Sequence, residues 1–262
     1  MNREIVVKEI AGVDVLQHKN LNMPVEKFVK TIVGRRIISV GARGKWLILE
    51  LQGMQFLLIN LGMGGDILHF NPGAAMPEAY KFRLRFNDGS GFTINFWWFG
   101  YIHLVDSEGL KKHKMVGELG LSLLEEGFTL EHLRGLLKGR KGNVKAFLID
   151  QRNMAGIGNV YAQDILFKAK LHPNRKINTL TEREMQDLHA SMREVLAKSV
   201  EKGGLAYEKD FYGKNGRFAG EDFLVGYKEG KPCPICSTTI KKIKTGSTST
   251  YICPKCQKTS ST

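Results

Sequence analysis

The sequence predicts an α+β fold, with an antiparallel β-sandwich first, a helical region second and a four-cysteine hairpin last. Three observations predict it. Through about residue 105, apolar and polar residues alternate between glycine-containing turns, the period of half-buried strands. From Glu125 onward the apolar spacing lengthens to three and four, the period of an amphipathic helix. All four cysteines lie beyond position 230, as two Cys-x-x-Cys pairs.

Ile5 and Val7 are predicted to start the first strand. Trp46 to Leu51 and Phe56 to Leu61 are apolar runs joined through Gly53, a hairpin. Phe82, Leu84 and Phe86 alternate with Lys81, Arg83 and Arg85; after the turn at Asn87 to Gly91, Phe92, Ile94 and Phe96 alternate again. That hairpin has one buried face and one basic face. Leu130, Leu133, Leu136 and Leu137 then share a helical stripe that ends at Gly139, and Val144, Phe147 and Leu148 mark a short helix. The turn Ala155-Gly156-Ile157-Gly158-Asn159 leads into a helix carrying Ala162, Ile165, Leu166 and Ala169. The longest helix opens at Thr181 with Glu184 three residues on, a capping box, and stops at Gly203-Gly204. Residues 205–230 read as a loop, and Thr259 to Thr262 as a disordered tail.

Charge narrows the partner. Thirty-nine Lys and Arg against 26 Asp and Glu leave a formal charge of +13, which favours a polyanion. No apolar run approaches the ~18 residues of a membrane span, and the Met1 to Ile10 start is neither a signal peptide nor a basic amphipathic anchor. We therefore expect nucleic acid and no membrane, in the cytoplasm.

Cysteines gathered at one end indicate a metal site in a reducing compartment, because a disulfide framework would spread them through the chain. Cys233 and Cys236 are separated by sixteen residues from Cys253 and Cys256. Two such pairs make a tetrahedral thiolate site for one structural Zn2+, with no open position for chemistry. Lys241, Lys242 and Lys244 lie between the pairs, either as a solvated strand face or as phosphate contacts. In the turn before Asn159, glycines either let backbone amides approach a phosphate at a helix N-terminus or form an ordinary turn between two helices.

The order of a β-rich half, Gly-Ile-Gly-Asn-Val-Tyr-Ala-Gln-Asp-Ile-Leu-Phe, His172-Pro173 and a terminal four-cysteine hairpin resembles the formamidopyrimidine-DNA glycosylase/endonuclease VIII family. The resemblance covers nearly the whole chain. It implies a β-sandwich over residues 1–110, a helix–two-turn–helix DNA-binding domain over 120–225 and a zinc ribbon over 226–258. It also implies a role for each matching residue. Lys45, in Arg43-Gly44-Lys45-Trp46, would contact phosphate beside the damaged nucleotide and serve proton transfer. Met63, in Asn60-Leu61-Gly62-Met63-Gly64-Gly65, would enter the gap left by a flipped base, with Phe99 as a second wedge. Asn159 would hold a phosphate flanking the lesion, and Lys145 would be a further DNA-facing lysine.

The chain departs from the family pattern at three places. The family nucleophile is an N-terminal proline with glutamate next to it, whereas this sequence opens Met1-Asn2-Arg3-Glu4 and has its first proline at Pro24. The match places the family's leading helix ahead of Met1 and leaves the nucleophile unassigned. Trp97 and Trp98 replace two arginines before Phe99-Gly100, and Thr248 stands where the zinc hairpin usually carries a phosphate-binding arginine. The resemblance implies a monomeric base-excision DNA glycosylase/AP lyase acting on damaged duplex DNA, nucleoid-associated when bound. The alternatives are a catalytically impaired damaged-DNA-binding protein of the same fold and an RNA-binding zinc-ribbon protein.

Overall fold

A computed structural model describes residues 1–259; Ser260 to Thr262, most of the predicted tail, lie outside the described residues. The chain divides into two compact units, Met1–Glu118 with Gly203–Arg217, and Leu119–Lys202 with Phe218–Thr262.

In the first unit a single-turn helix α1 (Asn2–Ile5) precedes β1 (Ile10–Val15), α2 (Val25–Ile32), β2 (Ile37–Arg43), β3 (Trp46–Leu51), β4 (Gln55–Asn60), β5 (Asp66–Phe70), β6 (Phe82–Phe86), β7 (Gly91–Asn95), β8 (Tyr101–Asp106) and α3 (Ser107–Lys112). The strands form two antiparallel four-stranded sheets, ordered β1-β6-β7-β5 and β2-β3-β4-β8. Their inner faces share one core, with Phe82, Leu84, Phe92 and Ile94 from one sheet and Ile37, Leu49, Leu57 and Ile59 from the other. The expected sandwich is present, and so are the hairpins at Gly53 and at Asn87 to Gly91.

Two local expectations are corrected. Ile5 and Val7 do not begin a strand: Ile5 closes α1 and is fully buried, while Val7 is exposed in a left-handed conformation (φ 66°). A strand would have placed both on one face; the helical turn lets Ile5 alone reach the core. The second correction is α2, inside a stretch read as all β. Its Phe28 and Ile32 are buried in the sandwich core.

The second unit carries α4 (Leu130–Leu137), α5 (Val144–Ile149), α6 (Asn159–Lys168), α7 (Glu182–Glu201), β9 (Lys241–Thr245) and β10 (Thr248–Ile252). The predicted capping box is formed: Thr181 Oγ1 accepts from the Glu184 amide at 3.2 Å, and the Glu184 carboxylate accepts from the Thr181 amide at 2.7 Å. Leu133, Leu148, Ile165, Leu188 and Met192 build the helical core. Buried α6 also anchors the segment at 224–226 and the hairpin strand β10. The Asp164 carboxylate accepts from the amides of Leu224, Val225 and Gly226 at 2.8–2.9 Å, and Gln163 Oε1 accepts from the Tyr251 amide at 3.0 Å. Among the described residues, no helix is long and apolar enough to cross a membrane.

Candidate nucleic-acid interface

One end of the sandwich gathers the candidates of the first unit. Register pairs Arg43 with Trp46, Trp46 with Asn60 and Asn60 with Tyr101, so the Arg43–Trp46 turn shares an end of its sheet with the loops at 61–65 and 96–100. Both loops cross from one sheet to the other, and they are stitched together. The Met63 amide donates to the Trp98 carbonyl at 3.0 Å, and the buried Asn20 amide group donates to the Gly100 carbonyl. The approach needs a glycine at 62: its φ is +68°, and a Cβ there would lie 1.8 Å from the Trp98 carbonyl oxygen.

This backbone pair lifts four large apolar side chains into solvent. Met63 is 62% exposed, Trp97 69%, Trp98 63% and Phe99 71%. Single exposed apolar residues are ordinary, but four on two adjoining loops mark a contact surface. Phe99 is also held at φ 57°, a conformation that costs a bulky residue about 1–3 kcal/mol.

Lys45 is exposed in the adjoining turn, and its charge opposes the upward shift that burial gives the Glu208 carboxyl. The residue after it, Trp46, is nearly buried, stacked on Tyr101 with ring centres 6.0 Å apart and met edge-on by His113 at 5.4 Å. His103 Nδ1 lies 2.8 Å from His113 Nε2. His113 Nδ1 accepts from the Val116 amide at 3.1 Å, so His113 Nε2 carries the proton given to His103. Burial, then the neighbouring His113, pull His103 down to about 4; burial also lowers His113. Both rings are therefore neutral at pH 7, and the cluster fixes the strand start behind Lys45.

Residues 203–217, which span the predicted helix stop and the first part of the predicted 205–230 loop, belong to the sandwich unit. There the Tyr212 hydroxyl donates to Glu4 at 2.9 Å, and the Phe211 ring lies 5.4 Å from that of His69. No local motif announces this cluster; its members come from three distant segments.

In the second unit, Asn159 opens α6 as predicted. The turn before it is tied by Gln151, which accepts from the Gly156 amide at 3.0 Å and donates to the Ile157 carbonyl at 2.6 Å. Asn159 Nδ2 donates to the Ser249 carbonyl at 3.3 Å, which sets the turn against the tip of the β9–β10 hairpin. Lys145 departs from the expected DNA-facing position. It is 3% exposed, and its ammonium donates to Thr245, Thr248 and Thr250 at 2.8, 2.7 and 2.5 Å. The reason is packing: α5 turns this side chain toward the threonines of the β9–β10 hairpin. Burial pulls the lysine down to about 8, which leaves it mostly charged at neutral pH.

The four cysteine sulfurs all lie within 4.8 Å of one another. Cys236 is 3.4 Å from Cys256 and 3.5 Å from Cys253, and Cys233 is 3.8 Å from Cys256. Zinc–sulfur bonds of about 2.3 Å in a tetrahedron require sulfur separations of about 3.8 Å, so the set fits the ion. The site is closed and holds a structural Zn2+.

Three family models match the sequence: the formamidopyrimidine-DNA glycosylase N-terminal domain over residues 1–96, the H2TH domain of the same enzyme over 119–209, and the zinc finger found in FPG and IleRS over 230–259. The chain belongs to the formamidopyrimidine-DNA glycosylase family. The glycosylase of Pelotomaculum thermopropionicum is 38% identical over 256 residues, covering 95% of this chain and 92% of that protein. That of Chloroflexus aggregans is 37% identical over 258 residues, covering 97% and 93%. The fold is likewise similar to that of the Lactococcus lactis glycosylase bound to DNA containing an abasic site, with a TM-score of 0.86, 27% identity and coverage of 98% and 95%. It is also similar to MutM bound to DNA containing carbocyclic 8-oxo-G, with a TM-score of 0.87, 27% identity and the same coverage.

Proposed function

We propose that this protein is a base-excision DNA glycosylase with AP lyase activity, which binds damaged duplex DNA, flips out and removes an oxidised base, and cleaves the abasic strand. The observation that carries it is the apolar tip of Met63, Trp97, Trp98 and Phe99 beside exposed Lys45. Chemistry on a base needs the nucleotide outside the stack, and an apolar wedge offsets the stacking lost in the duplex. Met63 suits this because its side chain is flexible, and Phe99 and Trp98 offer ring faces to an unpaired base.

Lys45 would neutralise the phosphate beside the flipped nucleotide and assist proton transfer, while Asn159 and the turn before α6 would hold a flanking phosphate. An amine attacking C1′ displaces the base; the opened sugar then forms a Schiff base, and elimination breaks the strand. The zinc, closed by four thiolates, holds the hairpin in shape. The protein would work as a monomer, in the cytoplasm and on the nucleoid.

Titration of two duplexes tests the wedge. Binding should be tighter to a duplex carrying an abasic-site analogue than to the intact duplex, and Met63→Ala should shrink that preference. Equal affinity for both duplexes would contradict it.

A further inference from the structure

The ammonium of Lys145 has three N–H donors, and three threonine hydroxyls accept them. Nothing is left over for a phosphate. The acceptors come from both strands of the zinc hairpin, Thr245 on β9 and Thr248 and Thr250 on β10, and the register pair Thr245–Thr248 closes its tip. Ser249, between two of these threonines, receives the Asn159 side chain. Pulling the threonines onto α5 therefore sets the height of the hairpin tip beside Asn159.

We infer that Lys145 is a positioning residue: it clamps the tip of the zinc hairpin onto α5, places Thr248 and Ser249 beside Asn159, and does not itself touch DNA. The DNA half of this inference rests on the function proposed above. Thr248 then has a use that a phosphate-binding side chain would not serve. It is one of three oxygens that hold a buried charge in place, and its hydroxyl group is required where its methyl group is not.

Lysine reactivity tests the clamp in the unaltered protein. Reductive methylation of the zinc-loaded protein, read by peptide mass spectrometry, should modify exposed Lys241 and Lys242 and spare Lys145. Adding abasic-analogue duplex should leave Lys145 unchanged, and chelating the zinc should make it reactive. Methylation of Lys145 at the rate of Lys241 with zinc bound, and protection by DNA, would overturn the inference.

Variants test the consequence for binding. Lys145→Met, Thr248→Val and Thr250→Val, each checked for one zinc per chain, should weaken binding of that duplex by about tenfold and combine without adding. Thr248→Ser should restore it. The slope of log affinity against log salt should stay that of the wild type. A slope reduced by about 0.9 in Lys145→Met alone would indicate a direct phosphate contact and sink the clamp. Failure of the wild type to bind DNA would refute the proposed function, while the methylation pattern would still decide whether Lys145 is clamped.

Discussion

Lys45 and the histidine pair behind it illustrate what single residues contribute. Lys45 sits on a turn with an exposed ammonium, so a phosphate it contacts releases its counterions. Lys45→Ala should lower the salt slope of duplex binding by about 0.9 and weaken binding to all sequences alike; an unchanged slope would remove Lys45 from the phosphate contacts. His103 and His113 act on stability instead. Their folded pKa values lie below the ordinary 6.5, His103 at about 4. Between pH 6.5 and 4 the unfolded chain therefore binds more protons, and stability falls as pH falls through that window. Thermal unfolding of His103→Gln should depend less on pH there than that of the wild type; identical pH profiles would contradict the role given to the pair. That Lys45, Met63, Phe99 and Asn159 lie on turns and loops was legible in the sequence, because each sits in a short glycine-marked stretch; the roles proposed for them came from the family resemblance. The position of Lys145 was not, since its three partners lie 100 to 105 residues away.

Among the elements, the paired loops at 61–65 and 96–100 and the zinc hairpin are the ones to which the proposed function assigns DNA contact. Gly62→Ala adds a Cβ 1.8 Å from the Trp98 carbonyl at a φ of +68°. It should disorder the loop pair, speed proteolysis there and reduce the preference for abasic-analogue duplex; wild-type behaviour in both assays would show that the stitching is dispensable. Removing zinc should unfold the hairpin and leave the sandwich intact, because Cys233, Cys253, Ile240 and Val225 pack in a cluster separate from the sandwich core. Far-UV and near-UV circular dichroism during chelation would detect the opposite, a loss of the whole fold. Strand hairpins and capped helices were readable because local alternation, Gly53 and the Thr181–Glu184 box specify them without tertiary help. Helix α2 was missed although Val25, Phe28, Val29 and Ile32 have helical spacing, because the strand-like runs around it dominated. Ile5 and Val7 mimicked a strand through a two-residue coincidence.

On the scale of the whole molecule, the +13 charge favours a polyanionic partner, and the sandwich and the helical region each have a core of their own. The return of residues 203–217 to the sandwich unit was not readable, because Phe211 and Tyr212 find His69 and Glu4 only once both sheets exist. Family membership was readable, since the order of motifs, sandwich then helices then zinc hairpin, runs along nearly the whole chain. The most direct test of the central claim uses the zinc-loaded protein produced from its native gene, incubated with oxidatively damaged duplex DNA. Mass spectrometry of the supernatant should detect free oxidised bases, with strand breaks where they were removed and less of both for Lys45→Ala. Tight binding to the damaged duplex with no base released would contradict the enzyme and leave a protein that only binds damage.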